Sequence, residues 1–368
     1  MTSCSSDETI DINNGRAIDF RTSMASRGIE TTSDNLSNFF VTAFNDNKVD
    51  APYFSNLEFK KDLETGTNGI FTSETKYYYP GDGSVLYFYA YSPSAQSLGG
   101  TLTITKDKRL LEGFSTADNI TDQVDFITAN ATGTDMESES GVALQFSHHL
   151  SQIEFKAKSE SETYKFQVKG VRIAKIGSTG DFDFTDGIGS WTLGDEKKTY
   201  DKIYTDEEAV IELGATAQSL MYQDYAMLIP QELTAWNVEG DQTNNDEGAY
   251  LSVYIRITTK EGALVYPFED DDEDYAWAAM PVPAETKWEA GKKYVYTLNF
   301  TNGAGYVDPS TGGNHTGNPI LDGDIRFTVE VEGWEDAENN PATDTDVDMP
   351  VGDGSSVDDN DVEDPGWD

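Results

Sequence analysis

The alternation of apolar and polar residues in many short segments constrains the fold of this chain more than any other feature. Residues 141–158 show it on both sides of a short break, with Leu144 and Phe146 before the break and Ile153 and Phe155 after it. Since successive side chains of a strand point to opposite faces, this period predicts half-buried strands. Gly, Asp and Pro separate similar segments along the chain, which predicts an all-β fold of antiparallel sandwich type.

Length and charge limit the possible partners. The chain has 368 residues, enough for about two or three domains, each with a substantial core. Its formal net charge of −42 opposes binding to nucleic acid phosphates and to anionic lipid surfaces. No apolar run approaches the ~18 residues that a membrane-spanning helix needs. We therefore expect no nucleic-acid partner and no integral membrane segment.

Shifts in composition predict the domain limits. Residues 132–140 are polar, contain Gly, Ser and Glu, and lack periodic apolar positions, so we place a boundary there. The prediction is one β-sandwich domain at 35–139 and a second at 140–334, with residues 141–158 as the opening strands of the second. Residues 335–368 contain many Asp and Glu and no Lys or Arg, which predicts a disordered acidic tail.

The single cysteine, Cys4, lies near the N-terminus. Small residues precede it, and its surroundings resemble the end of a bacterial lipoprotein signal, in which the cysteine receives the lipid. The apolar region of such a signal is missing, so we expect that Met1 stands in place of a removed signal peptide. An incidental free cysteine near an exposed terminus is the alternative.

Patterns that indicate catalysis are scarce. Neither a G-x-S-x-G elbow nor a Walker loop occurs, and one cysteine near the terminus argues against a Cys/His nucleophile pair. His148 and His149 are neighbours on an extended segment, where their side chains point to opposite faces and cannot easily share a metal. Acidic residues are so abundant that they identify no glycosidase pair. We expect no enzymatic activity, no cofactor and no metal site.

Two weaker candidates for binding have structural alternatives. The acidic run from Glu269 to Asp274 and the cluster at residues 322–324 offer oxygen ligands for calcium, but neither has the EF-hand spacing, so solvated loops are expected. Three tryptophans are candidates for stacking on sugar rings, although core filling is the commoner role of such residues in β-rich chains. They are Trp236, Trp277 and Trp288.

Several segments together resemble the fimbrillin family, the type V pilus subunits of Bacteroidales, over nearly the whole chain up to Trp334. Their order and spacing carry the resemblance. The segments are NL at 35–36 before FFVTAF at 39–44, YYYP at 77–80 before LYFYAY at 86–91, LQFSHHLS at 144–151, MLIPQ at 227–231, W-x-x-G-K-x-Y-x-Y-x-L at 288–298, and FTV at 327–329 with GW at 333–334.

This resemblance implies two transthyretin-like β-sandwich domains in tandem and a lipoprotein precursor carried to the outer membrane, with Cys4 as the lipidated residue. It also implies that an arginine-specific protease removes the first strand of the first domain. Arg27 best matches the processing position, with Arg21 and Arg16 as alternatives, and residues 18–20 would belong to the removed strand. Residues 1–34 are then a lipoprotein leader and processed segment.

In the stalk subunits of the family, the groove left by that strand accepts a strand from a neighbouring subunit, which is β-strand addition. A sheet that lacks one strand exposes backbone donors and acceptors together with apolar pockets, and a matching strand satisfies both. The tail after Trp334 lacks the six or so alternating residues of a donor strand. A tip, accessory or anchoring subunit therefore fits at least as well as a stalk subunit.

We accordingly expect a non-enzymatic fimbrial subunit at the outer membrane and cell surface, which contributes to adhesion through a host or bacterial surface ligand that the sequence does not identify. Its expected partners are other pilus subunits and, during maturation, the arginine-specific protease and the lipid anchor. The alternative is a surface lipoprotein that binds glycans for nutrient capture. An exposed row of Trp and Tyr would favour that alternative, and a buried set would count against it.

Overall fold

The computed structural model describes residues 16–24, 36–46, 50–62, 69–136, 141–205, 209–222, 224–238, 248–268, 274–311, 317–321, 325–333 and 343–345. Regular structure in these residues is β-strand, with short 3-10 turns at Ile120–Asp122 and Pro309–Thr311. The predicted all-β fold class is therefore confirmed. None of the described segments forms a helix that could cross a membrane.

The first nine strands come from the N-terminal half of the chain. Their bounds are β1 (Phe20–Met24), β2 (Asn38–Asn45), β3 (Phe54–Lys61), β4 (Ile70–Thr72), β5 (Leu86–Ser92), β6 (Thr101–Ile104), β7 (Arg109–Ser115), β8 (Ile127–Gly133) and β9 (Val142–His148). Seven of them form a sheet in the order β1-β4-β3-β2-β5-β8-β9, and β9 pairs with β1 so that the sheet closes on itself. We call this the closed sheet. Its strand pairs are antiparallel except β1–β9, which is parallel.

Alternation of side chains explains why the interior of the closed sheet is apolar. In β9 the residues Val142, Leu144 and Phe146 are buried, whereas the residues between them are exposed. Phe39 and Phe59 from neighbouring strands fill the same core. Burial of each such side chain stabilises the fold by about 1.5–3 kcal/mol, so the inward positions fix which way every strand faces.

The position of β9 corrects one expectation. Residues 141–158 were expected to open the second sandwich, but their first strand, β9, pairs with β8 and β1 in the closed sheet. Periodicity shows that a segment is a strand without showing its partner, and Leu144 and Phe146 fill a core to which residues 151–158 do not contribute. The domain limits 35–139 and 140–334 themselves stay a prediction, because backbone pairing does not show which parts fold independently.

Fifteen further strands follow β9 within the residues that the structure describes. Their bounds are β10 (Ser151–Lys158), β11 (Tyr164–Gly177), β12 (Thr179–Asp183), β13 (Ser190–Leu193), β14 (Lys197–Ile203), β15 (Ile211–Glu212), β16 (Gln218–Ser219), β17 (Ala226–Leu228), β18 (Tyr250–Thr259), β19 (Leu264–Tyr266), β20 (Ala276–Pro281), β21 (Lys292–Asn299), β22 (Tyr306–Val307), β23 (Arg326–Gly333) and β24 (Thr343–Thr345). Of the acidic tail, only β24 lies within the described residues, where it pairs antiparallel with β23.

Two sheets of the C-terminal half form a β-sandwich. One has the order β16-β10-β21-β23-β24 with β17 beside β10, and the other has the order β14-β11-β18-β20-β22 with β15 and β19 at its sides. Their inner faces share one core, in which Phe155, Tyr296 and Leu298 of the first sheet meet Ile173 and Val253 of the second. This is the face-to-face packing that alternating strands require in order to bury one side of each sheet.

A third sheet joins the two halves of the chain. It has four strands in the order β13-β12-β7-β6, in which β6 and β7 come from the N-terminal half and β12 and β13 from the C-terminal half. We call it the bridging sheet. Leu111 and Phe114 of β7 share a core with Phe182 and Phe184 of the second half. The two halves are therefore held together by backbone hydrogen bonds between β7 and β12 and by the burial of apolar side chains from both.

Candidate functional site

The candidate functional site is the place that β1 occupies in the closed sheet. β1 lies between β4 and β9, with Phe20 opposite both Phe71 and Val142 and Arg21 opposite Ile70. The parallel register with β9 continues to Met24, which lies opposite Phe146. Just before β1, the backbone N–H of Ile18 donates to the Tyr77 carbonyl oxygen at 2.8 Å.

Phe20 lies at the centre of an aromatic cluster inside the closed sheet. Its ring meets those of Phe59, Phe88 and Phe39 edge-on, with centroid distances of 4.7, 5.0 and 6.0 Å. Edge-to-face pairs of this kind add to the free energy gained from burial alone. Phe20 is 0% exposed and Ile18 is 1% exposed, so this terminal segment belongs to the core.

Gly141 permits the close approach of β9 to the segment that precedes β1. Its φ is +77°, and a Cβ there would lie 2.6 Å from the carbonyl oxygen of Asp19. That carbonyl accepts the backbone N–H of Val142 at 3.0 Å. A residue without Cβ is therefore needed for this start of the β1–β9 pairing.

The closed sheet keeps its backbone groups paired only while β1 is in place. Without β1, the facing edges of β4 and β9 would expose unpaired N–H and C=O groups, next to the aromatic side chains that now contact Phe20. Unpaired edges and exposed apolar surface both favour the addition of another strand. Once β1 is absent, this place in the sheet could therefore bind an extended peptide.

The predicted processing residues fall in different surroundings. Arg21 is exposed, but its backbone lies inside β1 with paired strands on both sides. Arg16 is half-buried, and its carbonyl oxygen accepts the backbone N–H of Tyr79 at 3.1 Å. Arg27 and Cys4 lie outside the described residues. Since proteases need an unpaired stretch of backbone, Arg21 and Arg16 are poor cleavage positions in this state.

The two histidines have structural surroundings. His148 Nδ1 lies 2.8 Å from Asp125 Oδ2, and both side chains are almost fully buried. His149 Nε2 lies 2.7 Å from the hydroxyl of Thr128, and its ring centroid is 4.4 Å from that of Phe182. Burial, with a smaller contribution from the neighbouring His148, lowers the pKa of His149 to about 3, so the imidazole is neutral at physiological pH. The sequence placed both residues at a bend, and they lie at the passage from β9 to β10.

The weaker binding candidates do not gather into a site within the described residues. No group of three His, Cys, Asp or Glu side chains there is arranged to hold a metal ion. Residues 269–273 and 322–324 lie outside the described residues, and Asp274 forms an ion pair with Arg256 at 2.9 Å. The three candidate tryptophans are between 1% and 8% exposed, which counts against stacking on sugars. They are Trp236, Trp277 and Trp288.

The sequence assigned residues 18–20 to the first strand through the family resemblance but did not show that β1 extends to Met24. The three residues after Phe20 are polar, so the apolar period lapses at Thr22. Pairing with β9 extends the strand to Met24, whereas pairing with β4 ends at Arg21, and both pairings are properties of the assembled sheet. An apolar residue at position 22 would have signalled the extension.

Comparisons with known proteins found one matching family and similar solved structures. The sequence model of a family described as fimbrillin-like matches residues 22–334. The crystal structure of a fimbrial protein from Bacteroides vulgatus is similar with a TM-score of 0.56 and 16% identity, covering 87% of this chain and 99% of that one. A proposed cell adhesion protein from Bacteroides uniformis has a TM-score of 0.47 and 16% identity, covering 88% and 99% of the two chains. No curated protein matches the sequence.

Proposed function

The chain belongs to the fimbrillin-like family, and from this premise we propose that it is a cell-surface fimbrial subunit whose closed sheet accepts a strand from a neighbouring subunit. Family membership supports a structural rather than enzymatic role, a location at the cell surface, and assembly with other pilus subunits. The similar fold of a fimbrial protein from Bacteroides vulgatus supports the same role. Contribution to adhesion follows from the family.

The position of Phe20 carries the proposal. Phe20 is buried at the centre of the closed sheet, yet it belongs to the first described strand. A single cut between β1 and β2 therefore separates Phe20 covalently from every aromatic ring that surrounds it. After such a cut, only ladder hydrogen bonds and apolar contacts hold β1, and both are available to a competing strand.

Cleavage after Arg27 fits this arrangement better than cleavage at the alternatives. It leaves all of β1 on the released piece, whereas a cut after Arg21 would divide the strand and a cut after Arg16 would leave β1 in place. The released piece also contains Cys4, so a lipid on Cys4 would hold the precursor at the outer membrane until the cut. Opening of the groove and release from the lipid anchor would then be one event.

The strand that replaces β1 has a defined direction. It must run antiparallel to β4 and parallel to β9, and it must place apolar side chains at the positions of Ile18 and Phe20. The proposal concerns the acceptor side of assembly. The chain's own β24 pairs with β23 at the edge of the sandwich, which fits a tip, accessory or anchoring subunit whose tail is not the donor.

The test is digestion of the purified full chain with an arginine-specific protease, followed by gel analysis without boiling. We expect one clip, loss of that clip in Arg27→Lys, and retention of it in Arg21→Lys and Arg16→Lys. Higher assemblies should form only after clipping and in the presence of a donor subunit. A chain that stays uncut, or a clipped chain that keeps β1 and never binds a donor, would contradict the proposal.

A further inference from the structure

A cleft of about 800 Å³ lies where the two halves of the chain meet. One side of it is the end of β9 and the following residue, a second is the turn between β12 and β13, and the third is formed by residues 230–232 and 287–290. Elements of both halves thus line it. None of the roles described above for β1 uses this cleft.

The register of β1 and β9 directs a strand toward the cleft. Met24, the last residue of β1, lies opposite Phe146. The next two residues of β9, Ser147 and His148, line the cleft, and their other edge is taken by Thr128 and Ile127 of β8. Any strand that takes the place of β1 and continues in the same direction therefore runs along the β9 edge into the cleft, at about 3.3 Å per residue.

The walls of the cleft offer apolar contacts. Ile188 is 79% exposed at the turn between β12 and β13. The turn holds it there, because Asp186 Oδ1 accepts the backbone N–H groups of Ile188 and Gly189, each at 2.9 Å. Trp191 is half-buried, and its Nε1 donates to the carbonyl oxygen of His149 at 2.7 Å. Single exposed apolar residues are ordinary, but Ile188 lines the same cleft as the indole ring of Trp191.

The rim of the cleft has net negative charge. Glu232 and Glu289 are exposed carboxylates. Apart from the histidines, the described lining residues include one basic residue, Lys287. Glu232 and Lys287 are held opposite each other by an isolated β-bridge. A basic side chain that enters the cleft would therefore find more carboxylates than cations along its rim.

We propose that this cleft binds the part of an incoming strand that extends beyond the position of Met24, so that the second half of the chain takes part in choosing the strand. The occupant is the donor strand of a second subunit, with an apolar side chain against Ile188 and Trp191 and a basic side chain against Glu232 and Glu289. The inference rests on the proposed strand exchange. It adds that recognition does not end at the closed sheet.

The test uses the full chain after clipping by the arginine-specific protease and three fluorescent peptides. The first has the sequence of residues 16–24, and the second has that of residues 16–28, which adds Ala-Ser-Arg-Gly. The third extends residues 16–24 by Gly-Ser-Gly-Ser to match the length without the charge. Each peptide competes with the resident β1 fragment, and fluorescence anisotropy measures its affinity.

We expect the 16–28 peptide to bind about fivefold more tightly than the other two, the size of a single favourable ion pair. The double variant Glu232→Gln, Glu289→Gln should remove this advantage, and Ile188→Ser should weaken the 16–28 peptide while leaving the 16–24 peptide unchanged. Glu112→Gln, an exposed carboxylate on the bridging sheet, is the matched control. Thermal unfolding shows that each variant is folded.

Equal affinity of the three peptides, or an advantage that survives the double variant, would overturn the role of the cleft while leaving strand exchange intact. Failure of all peptides to displace the resident fragment, including the 16–24 peptide, would contradict strand exchange and the role of the cleft together. The two failures are therefore distinguishable in one experiment.

Discussion

The ring of Phe20 stands edge-on to the ring of Phe59, with 4.7 Å between their centroids and 85° between their planes. Phe59 lies in β3 and Phe20 in β1, two strands that are separated in the closed sheet by β4. The contact therefore crosses the interior of the sheet. It links β1 to the part of the core that would remain after the proposed cut.

Truncation of this ring should destabilise the closed sheet. We expect Phe20→Ala to lower the free energy of unfolding by about 3–5 kcal/mol, because the buried ring leaves a cavity among three other rings. Arg21→Ala, on the exposed neighbouring position, should change it by less than about 0.5 kcal/mol. Urea unfolding followed by circular dichroism measures both. Equal effects would show that Phe20 is not part of the core.

The same substitution should loosen β1 after clipping. Loss of about 3 kcal/mol from the contacts of a noncovalently held strand corresponds to about a hundredfold weaker retention. The clipped Phe20→Ala chain should therefore release the N-terminal fragment on a gel-filtration column under conditions in which the clipped wild-type and Arg21→Ala chains retain it. If all three clipped chains retain the N-terminal fragment, the packing of Phe20 does not control the release of β1.

Gly141→Ala should lower the free energy of unfolding by more than the cost of a positive φ alone, because the added Cβ disturbs the pairing of β1 with β9. Gly262 is the matched control, since its φ is also positive and a Cβ there would meet nothing within 4 Å, whereas a Cβ at Gly141 would lie 2.6 Å from the Asp19 oxygen. We expect Gly262→Ala to cost about 1–2 kcal/mol and Gly141→Ala about 1–3 kcal/mol more. Urea unfolding of the two variants gives the comparison.

His149 should make stability depend on acidity. Burial lowers the pKa of His149 in the folded chain to about 3, from its ordinary value of 6.5. Between these values the unfolded chain binds a proton that the folded chain does not, so the free energy of unfolding falls as pH drops from about 6.5 toward 3, by up to about 1.4 kcal/mol per pH unit. The many carboxylates also make the free energy of unfolding depend on pH. Subtracting the slope measured for His149→Gln from the slope of the wild type leaves the contribution of His149. Identical slopes would contradict the assignment.

The buried carboxylate of Asp308 should contribute strongly to the free energy of unfolding. Its carboxylate accepts hydrogen bonds from Ser252 Oγ at 2.5 Å and from the Ser310 backbone N–H at 2.8 Å, and it lies 3.5 Å from Arg172 Nη1. Asp308→Ala should cost about 3–5 kcal/mol, because it leaves buried donors and a guanidinium without this acceptor. Ser310→Ala keeps the carboxylate and removes a hydroxyl that donates to Asp308 Oδ1 at 2.6 Å and accepts from Arg172 Nη1 at 3.2 Å, which should cost about 1 kcal/mol. A similar loss in both variants would show that the carboxylate has no special role.

Local pattern was sufficient for the strands and for much of the core. Apolar residues at every second position identified the two strands of residues 141–158. These inferences succeed because the direction of a strand side chain depends on its own backbone. The family resemblance then supplied the expectation that the first strand is removable.

Only the tertiary structure decided which strands pair and which faces meet. By itself the sequence determined that the chain is all-β and that Leu144 and Phe146 lie on one face of a half-buried strand. It did not determine that β9 closes a sheet with β1, that β7 pairs with β12 to join the halves, or that Trp288 is buried with its Nε1 donating to the Tyr296 hydroxyl at 2.9 Å. The physical reason is that pairing and burial depend on contacts between residues far apart in the chain, and a period of two is the same for every possible partner.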